Sequence, residues 1–315
     1  MTRVDLIIPT HNGNEWLERC LRSLALSTFR DYHLWVFDDA SDPPAQPVVD
    51  RLALSGTVIR VDQNVGLARA FNIAIAHGSA TYVVLLNNDT EVEPTWLETL
   101  VDCADRHPRA GSVASKLRLL SDRRKLHSAG DYYSVRGMPG NRGVWLDDFG
   151  QFDTEEEIFG ACGGAALYRR SSLDDIALRP GVWFDERLFM YCEDVDLAWR
   201  LQRRGWSCIF APDAVVYHAL SATAGGPLAS YYVARNVWLL LGRSIPSDVL
   251  RPYRHRILAY HLGRIMRSAR HIRHPAARAT LRGTAVGLVT FASHRTPPRL
   301  NDSRDIERLR ALLVR

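Results

Sequence analysis

Tyr82-Val83-Val84-Leu85-Leu86-Asn87-Asn88-Asp89-Thr90 is the stretch of this 315-residue chain that decides its fold. It opens with an unbroken apolar and aromatic run containing two β-branched valines, which predicts a central strand covered on both faces. The run leads straight into two carboxamides, a carboxylate and a hydroxyl, with Glu91 and Glu93 close behind. In an open α/β sheet, ligands bind just beyond the carboxyl ends of the strands, so this cluster marks the working edge. Hard divalent cations take oxygen ligands and bridge protein carboxylate to substrate phosphate, and Asp89 is the residue placed to hold one.

Toward the N-terminus the same grammar repeats. Val4 to Ile8 reads as a strand stopped by Pro9, and the polar turn Thr10-His11-Asn12-Gly13-Asn14 follows. Asn12 or Asn14 can cap the next helix, which carries Leu17, Cys20, Leu21 and Leu24 on one face. His33 to Phe37 is a second strand ending in Asp38, Asp39, Ser41 and Asp42, and Pro43-Pro44 breaks the chain before a short helix from about Val48 to Leu54. Thr57 to Val61 is a third strand, and Asn64-Val65-Gly66 opens a helix that turns Leu67, Phe71, Ala74 and Ile75 inward. Such alternation predicts an α/β fold with a mostly parallel central sheet flanked by helices. A single polar cluster after a strand is ordinary for a loop. Thr10/His11, Asp38/Asp39 and Asn88/Asp89 on one edge of one sheet together point to a site.

Toward the C-terminus, Pro94 starts a helix through Trp96, Leu97, Leu100 and Val101, and Gly111 to Ser115 is a short strand. Lys116 to Glu157 is glycine-rich and irregular, a length that predicts a functional flap or a disordered insert. Phe159 to Tyr168 resumes strand character with small residues. These suit either the close approach of a ligand or plain helix–sheet packing. A second acid-rich stretch, Phe184 to Asp196, leads into an amphipathic helix (Leu197, Trp199, Leu201) with Arg200, Arg203 and Arg204 near its end and Gly205 as C-cap. Some of Glu193, Asp194 and Asp196 cap that helix, while a carboxylate beside Phe189, Tyr191 and Trp199 also suits a general base shielded from water. Cys208 to Phe210 and Ala214 to Tyr217 are short strands, the second ending on His218, a structural residue or a metal ligand. From Tyr231 the pattern is helical.

Hydrophobic residues at 46% and charged residues at 24% are those of an ordinary globular protein. Cys20, Cys103, Cys162, Cys192 and Cys208 form no CxxC pair, as expected of free thiols in a reducing compartment. The N-terminus enters a strand without the apolar core of a signal peptide, and no apolar run reaches the roughly 18 residues that span a bilayer, so a cytoplasmic protein is expected. The net charge of +5 is concentrated late, since no acid occurs between Asp248 and Asp302. There arginines alternate with Ile257, Tyr260, His261, Leu262, Ile265 and Met266. Such a tail suits an interfacial helix on anionic lipid, and a solvated face or nucleic-acid contact are its rivals. No GxGxxG follows any predicted strand, against a dinucleotide dehydrogenase, and only Gly13 stands where a pyrophosphorylase needs a Gly-rich phosphate loop.

Five stretches in order carry a resemblance. Ile7-Ile8-Pro9-Thr10-His11-Asn12, Phe37-Asp38-Asp39-Ala40-Ser41, Asn64-Val65-Gly66, Leu86-Asn87-Asn88-Asp89-Thr90 and Glu193-Asp194-Val195-Asp196-Leu197-Ala198-Trp199-Arg200 are similar, over about residues 4 to 240, to the inverting glycosyltransferases of family 2. The Asn-Asn-Asp-Thr strand end, the downstream His and the Tyr231-Tyr232…Arg235-Asn236 helix resemble bacterial rhamnosyltransferases of cell-wall and O-antigen synthesis, and galactofuranosyltransferases beside them. The resemblance implies a GT-A domain over residues 1–240, with a nucleotide half (1–110) and an acceptor and catalytic half (111–240). A basic helical region over 241–315 completes the chain. It implies that Pro9, Thr10, His11, Asp39, Asn64, Arg69 and Asn88 lie around the nucleotide, with Asp39 accepting from the N3–H of uracil or thymine. It further implies Asp89 and His218 as ligands of Mg²⁺ or Mn²⁺, Asp194 as catalytic base and Glu193 as its neighbour. The implied reaction moves a sugar, rhamnose from dTDP-rhamnose as first choice or a UDP-sugar as alternative, to a glycan or polyprenyl-diphosphate-linked acceptor with inversion. Peripheral contact with the inner membrane face would follow from such an acceptor. The family's acidic triad is reduced here to Asn87-Asn88-Asp89, so metal binding should depend on the bound nucleotide. The same reduction leaves open a sugar-nucleotide-binding protein without catalysis.

Overall fold

The computed structural model describes residues 2–52, 56–220, 226–294 and 302–314. Strands β1 (Val4–Thr10), β2 (Tyr32–Asp39), β3 (Gly56–Val61) and β4 (Tyr82–Leu86) alternate with helices α1 (Asn14–Leu24), α2 (Gln46–Arg51) and α3 (Leu67–His77). They pair in parallel in the order β4-β1-β2-β3. All of β4 is buried. Tyr82, Val84 and Leu86 join one core with Leu17, Leu21 and Trp96, while Val83 and Leu85 join another with Phe71 and Ile75. An apolar run without alternation is thus consumed on both faces, the physical reason it forms a central strand. Residues 53–55, including the Leu54 expected to end α2, lie outside the described residues. Neither Asn12 nor Asn14 caps α1. Asn12 Oδ1 accepts from the Asp42 N–H at 2.8 Å and Asn14 Nδ2 donates to the Pro43 carbonyl at 2.9 Å, so both tie the β1 loop to the β2 loop.

Past the β4 end come β5 (Thr90–Val92), α4 (Trp96–Arg106) and β6 (Ala110–Leu119). The irregular stretch after β6 is folded: β7 (Leu126–Ser128), β8 (Asp131–Ser134), β9 (Pro139–Asn141) and β10 (Glu156–Ile158) interrupt it. Long-range ion pairs fix it. The buried Lys116 ammonium pairs with Asp148 at 3.5 Å and with Asp153, and Arg118 reaches Asp148 at 2.5 Å. Strand β11 (Ala165–Arg169) then enters antiparallel between β4 and β6, so the sheet is parallel in its N-terminal half and mixed beyond. Helices α5 (Arg170–Asp175) and α6 (Glu193–Arg203) precede β12 (Ser207–His218), one bulged strand where two short ones were expected. The sheet path is β10-β12-β6-β11-β4-β1-β2-β3, with β5 on β12 and β7 on β6.

The C-terminal helices are α7 (Gly226–Arg243), α8 (Ser247–Leu250), α9 (Arg254–Arg270), α10 (Pro275–His294) and α11 (Ser303–Ala311). The last strand, β13 (Leu313–Val314), returns to pair with β8, making a small sheet β13-β8-β9. A third core gathers Tyr133 of β8, Trp199 of α6, Val237 and Leu240 of α7 and Leu309 of α11. No helix among the described residues is long and apolar enough to cross a membrane.

Candidate active site

The β1, β2 and β4 strand ends sort the polar residues that sequence left grouped. Asp38 is fully buried and structural. Its carboxylate accepts from the Ser41 and Ala45 backbone N–H groups at 2.8 and 2.9 Å and pairs with Arg60, so these contacts hold it ionised against burial. Asp39, one residue on, turns to the other side, where Oδ1 accepts from the Val65 N–H at 2.7 Å and Oδ2 from the Gly66 N–H at 3.1 Å. His11 Nδ1–H donates to the Asp39 carbonyl at 2.5 Å, and Asn88 Nδ2 donates to Thr10 Oγ1 at 2.9 Å. Asn64 Oδ1 accepts from the Gly66 N–H at 3.1 Å. Pro9 and Thr10 form the buried end of β1, while Asn64 and Arg69 are exposed at the rim where α3 begins.

Asp89, His218, Glu193 and Asp194 meet elsewhere, around a cavity of about 390 Å³. β12 brings His218 opposite the β4 end, where Nε2–H donates to Asp89 Oδ1 at 2.9 Å. His218 Nδ1 faces His127 Nδ1 at 3.0 Å, so one of the two donates and their tautomers are locked together. Burial, then the adjacent His218 ring, drives His127 down to about 3, and it stays neutral. Asn87 Nδ2 lies 3.5 Å from His218 Nε2. A buried carboxylate oxygen, an imidazole nitrogen and a carboxamide at one point of a cavity wall form a donor set that suits a divalent cation, and the imidazole inclines it toward Mn²⁺.

On the facing wall Asp194 sits in the first turn of α6, with Oδ2 accepting from the Gly163 N–H at 2.8 Å and Oδ1 from the Val195 N–H at 2.7 Å. Gly163 suits that place, because a Cβ would come to a tight 3.1 Å of the same Oδ2 and push the carboxylate off by a few tenths of an ångström. The small residues after Phe159 serve packing: Gly163 lies against the Asp194 carboxylate, and a Cβ on Gly160 would strike Ala198 of α6. Burial raises Asp194, and burial followed by repulsion from Asp194 raises Glu193 further. Glu193 Oε2 is buried without a partner among the described residues. The pair therefore holds its protons unequally, Asp194 being the anion that backbone donors stabilise. Asp196 has only a structural part, in a buried pair with Arg200 at 2.7 Å.

The approach to α6 is strained. Phe189, Tyr191 and Cys192 all have positive φ, at 64°, 65° and 68°. Asn236 of α7 holds this run from outside, its Nδ2 reaching the Leu188, Met190 and Tyr191 carbonyls at 3.0, 2.9 and 2.7 Å. Sequence reading missed His127, Asp131 and Asn236 as site residues. Asp131 also lines the cavity. Its one signal is a lone acid between Leu126 and Val135, directly before Tyr132-Tyr133.

A mixed sheet of this order, with polar strand ends on one side of a cavity and a half-buried carboxylate on a helix start across it, is that of a transferase of the GT-A type. The chain belongs to glycosyl transferase family 2, whose model matches residues 5–177. It is 30% identical over 253 residues to the N-acetylglucosaminyl-diphospho-decaprenol L-rhamnosyltransferase of Mycobacterium tuberculosis, covering 73% of this chain and 80% of the other. Two solved structures share the fold. The mannosyltransferase PcManGT of Pyrobaculum calidifontis, in complex with GDP-Man and Mn²⁺, superposes with a TM-score of 0.56 at 19% identity over 94% of this chain and 77% of that one. Staphylococcus aureus TarS 1–349 in complex with UDP-GlcNAc gives 0.57 at 18% identity over 82% and 73%.

Proposed function

We infer that this glycosyltransferase moves rhamnose from dTDP-rhamnose to a sugar on a polyprenyl diphosphate, by one inverting displacement. The observation that carries the reading is the cavity with Asp89 and His218 on one wall and Asp194, held by the Gly163 N–H, on the other. Residues 1–110 would take the donor, 111–240 the acceptor and the base, and 241–315 the membrane surface. Asp39 has both oxygens on backbone donors and keeps a lone pair on each for a pyrimidine N3–H, which uracil and thymine share. Asp194 takes the proton from the acceptor hydroxyl as that oxygen attacks the anomeric carbon from the side opposite the leaving diphosphate. Asp89 and His218 would hold Mn²⁺ or Mg²⁺, which when bound neutralises charge on the nucleoside diphosphate.

The test is a donor screen with dTDP-rhamnose and UDP-sugars against a short polyprenyl-diphosphate N-acetylglucosamine, with and without Mn²⁺, the product's anomeric configuration being read by NMR. The expected result is rhamnose transfer with inversion, lost on chelation and reduced about 10²–10⁴-fold in Asp194→Asn. Transfer from a UDP-sugar alone would replace the donor, and a retained anomeric configuration would overturn the mechanism.

A further inference from the structure

Across the cavity from the nucleotide-side loops stands a carboxyl group that the proposed reaction leaves without work. Asp131 opens β8, its backbone N–H donating to the Gly160 carbonyl at 2.8 Å, and it is only 4% exposed. Its Oδ1 accepts from Asn141 Nδ2 at 2.9 Å, and the same amide reaches Cys162 Sγ at 3.4 Å. Cys162 directly precedes Gly163, whose N–H holds Asp194. Asp131, Asn141, Cys162, Gly163 and Asp194 therefore form one continuous wall. No described residue donates to Asp131 Oδ2, and no Arg or Lys pairs with this buried carboxyl.

Asp131 Oδ2 has no protein donor among the described residues and stays open to the cavity, so an incoming group can bond it in place of water. Glu193 Oε2, buried beside the same cavity, also lacks a partner among the described residues. Charge decides what the missing partner is. No Arg or Lys lines the cavity among the described residues and Asp194 is an anion beside it, so this end suits a neutral, hydroxyl-rich group over a phosphate. Burial, and then repulsion from Asp194 and Glu193, lifts the Asp131 carboxyl well above its ordinary range, as expected of groups sharing one small space. A sugar hydroxyl, donor and acceptor at once, satisfies either protonation state.

We propose that Asp131, fixed by Asn141, is a positioning residue for the acceptor sugar, hydrogen-bonding the hydroxyl next to the one that Asp194 deprotonates. This rests on the transfer reaction inferred above and adds the contact that selects which hydroxyl reacts. A site built to bond a substrate hydroxyl rejects the analogue lacking it strongly, because its own buried groups are then left unpaired.

The experiment compares wild type with Asp131→Asn and Asn141→Ala, using dTDP-rhamnose and the N-acetylglucosaminyl polyprenyl diphosphate together with its monodeoxy analogues. Asp131→Asn should lower kcat/KM for the acceptor about 30-fold or more while donor KM stays within about twofold, and Asn141→Ala should lower it about fivefold. One monodeoxy acceptor should be as poor for wild type as the full acceptor is for Asp131→Asn, and combining the two changes should add little. Acceptor kinetics within threefold of wild type, or a loss equal for every analogue, would overturn the proposal. Wild-type turnover in the same assay carries the reaction itself, so its absence would instead sink the reading on which the proposal rests.

Discussion

Glu193 and Asp194 are adjacent carboxyls in one buried first turn, and what separates them is backbone. Asp194 has two N–H donors within 2.8 Å, whereas Glu193 Oε2 has none. Glu193 is raised from an ordinary 4.5 to about 8 by burial and then by Asp194. A carboxyl raised on folding contributes stability that is fully present below pH 4.5 and is lost as pH climbs through about 8. Glu193→Gln removes that titration. Its melting temperature should match wild type near pH 4.5 and exceed it increasingly toward pH 8, by a stability difference of about 1.4 kcal/mol or more, the free energy of a tenfold change in proton affinity. Thermal melts across that range measure it, and a gap that does not widen with pH would show that Glu193 ionises as freely folded as unfolded. Because Asp194 is also raised, the acid limb of turnover should lie above the usual aspartate range, with activity falling as pH drops through it.

At the level of elements, the site depends on a helix start that the chain reaches at a cost. Three non-glycine residues with positive φ within four positions are tolerated because Asn236 spans three carbonyls of the run. Asn236→Ala should destabilise the fold by about 2–4 kcal/mol, as buried carbonyls lose their donor. It should lower kcat and raise donor KM together, since the Phe189 carbonyl of the same run accepts from the Ala68 N–H at the start of α3, beside the Gly66 N–H that Asp39 binds. Asn236→Asp, which sets an acceptor against acceptors, should lose at least as much. Denaturant titrations and steady-state kinetics check both, and an unchanged kcat would free the strained run of any catalytic part. The contrast in legibility has the same physical root. β1 to β4 were readable because each announces itself locally, by an apolar run with a polar end. The resemblance chose Asp39 over Asp38, but the local pattern alone could not, because strand alternation sends neighbours to opposite faces and only the register decides. His127 and Asp131 escaped because β7, β8 and β9 are three or four residues long and are fixed by pairing, β7 with β6 and β8 with β9 and the distant β13. The role of Asn236 was hidden for the same reason, since its partners lie more than 40 residues upstream.

Over the whole molecule, the C-terminal region divides into a bracing part and an outward-facing part. Leu309 is buried, Arg308 donates to Gln202 Oε1 of α6 at 3.1 Å, and β13 extends the sheet carrying Asp131, so α11 and β13 brace α6 and β8 together. In α9, His261 is buried against Trp238 and Ile257 packs into the core, whereas Leu258, Leu262 and Met266 stand 50–58% exposed at four-residue spacing. That spacing makes one outward stripe. Exposed Arg251, Arg254, Arg256, Arg267, Arg270 and Arg273 surround it, and no acid occurs between Asp248 and Asp302 to offset them. Apolar side chains ringed by arginine complement an anionic lipid surface, where buried area and charge attraction add. Truncating the region would confuse membrane contact with loss of the brace, so the discriminating variant replaces Leu258, Leu262 and Met266 with serine. It should keep its melting temperature, since all three side chains face solvent, yet sediment several-fold less with vesicles containing anionic lipid. Turnover on an acceptor embedded in such vesicles should fall with it, while turnover on a short, water-soluble acceptor should not. Equal sedimentation of the variant and wild type would remove the stripe from the membrane and leave it a solvated helix face.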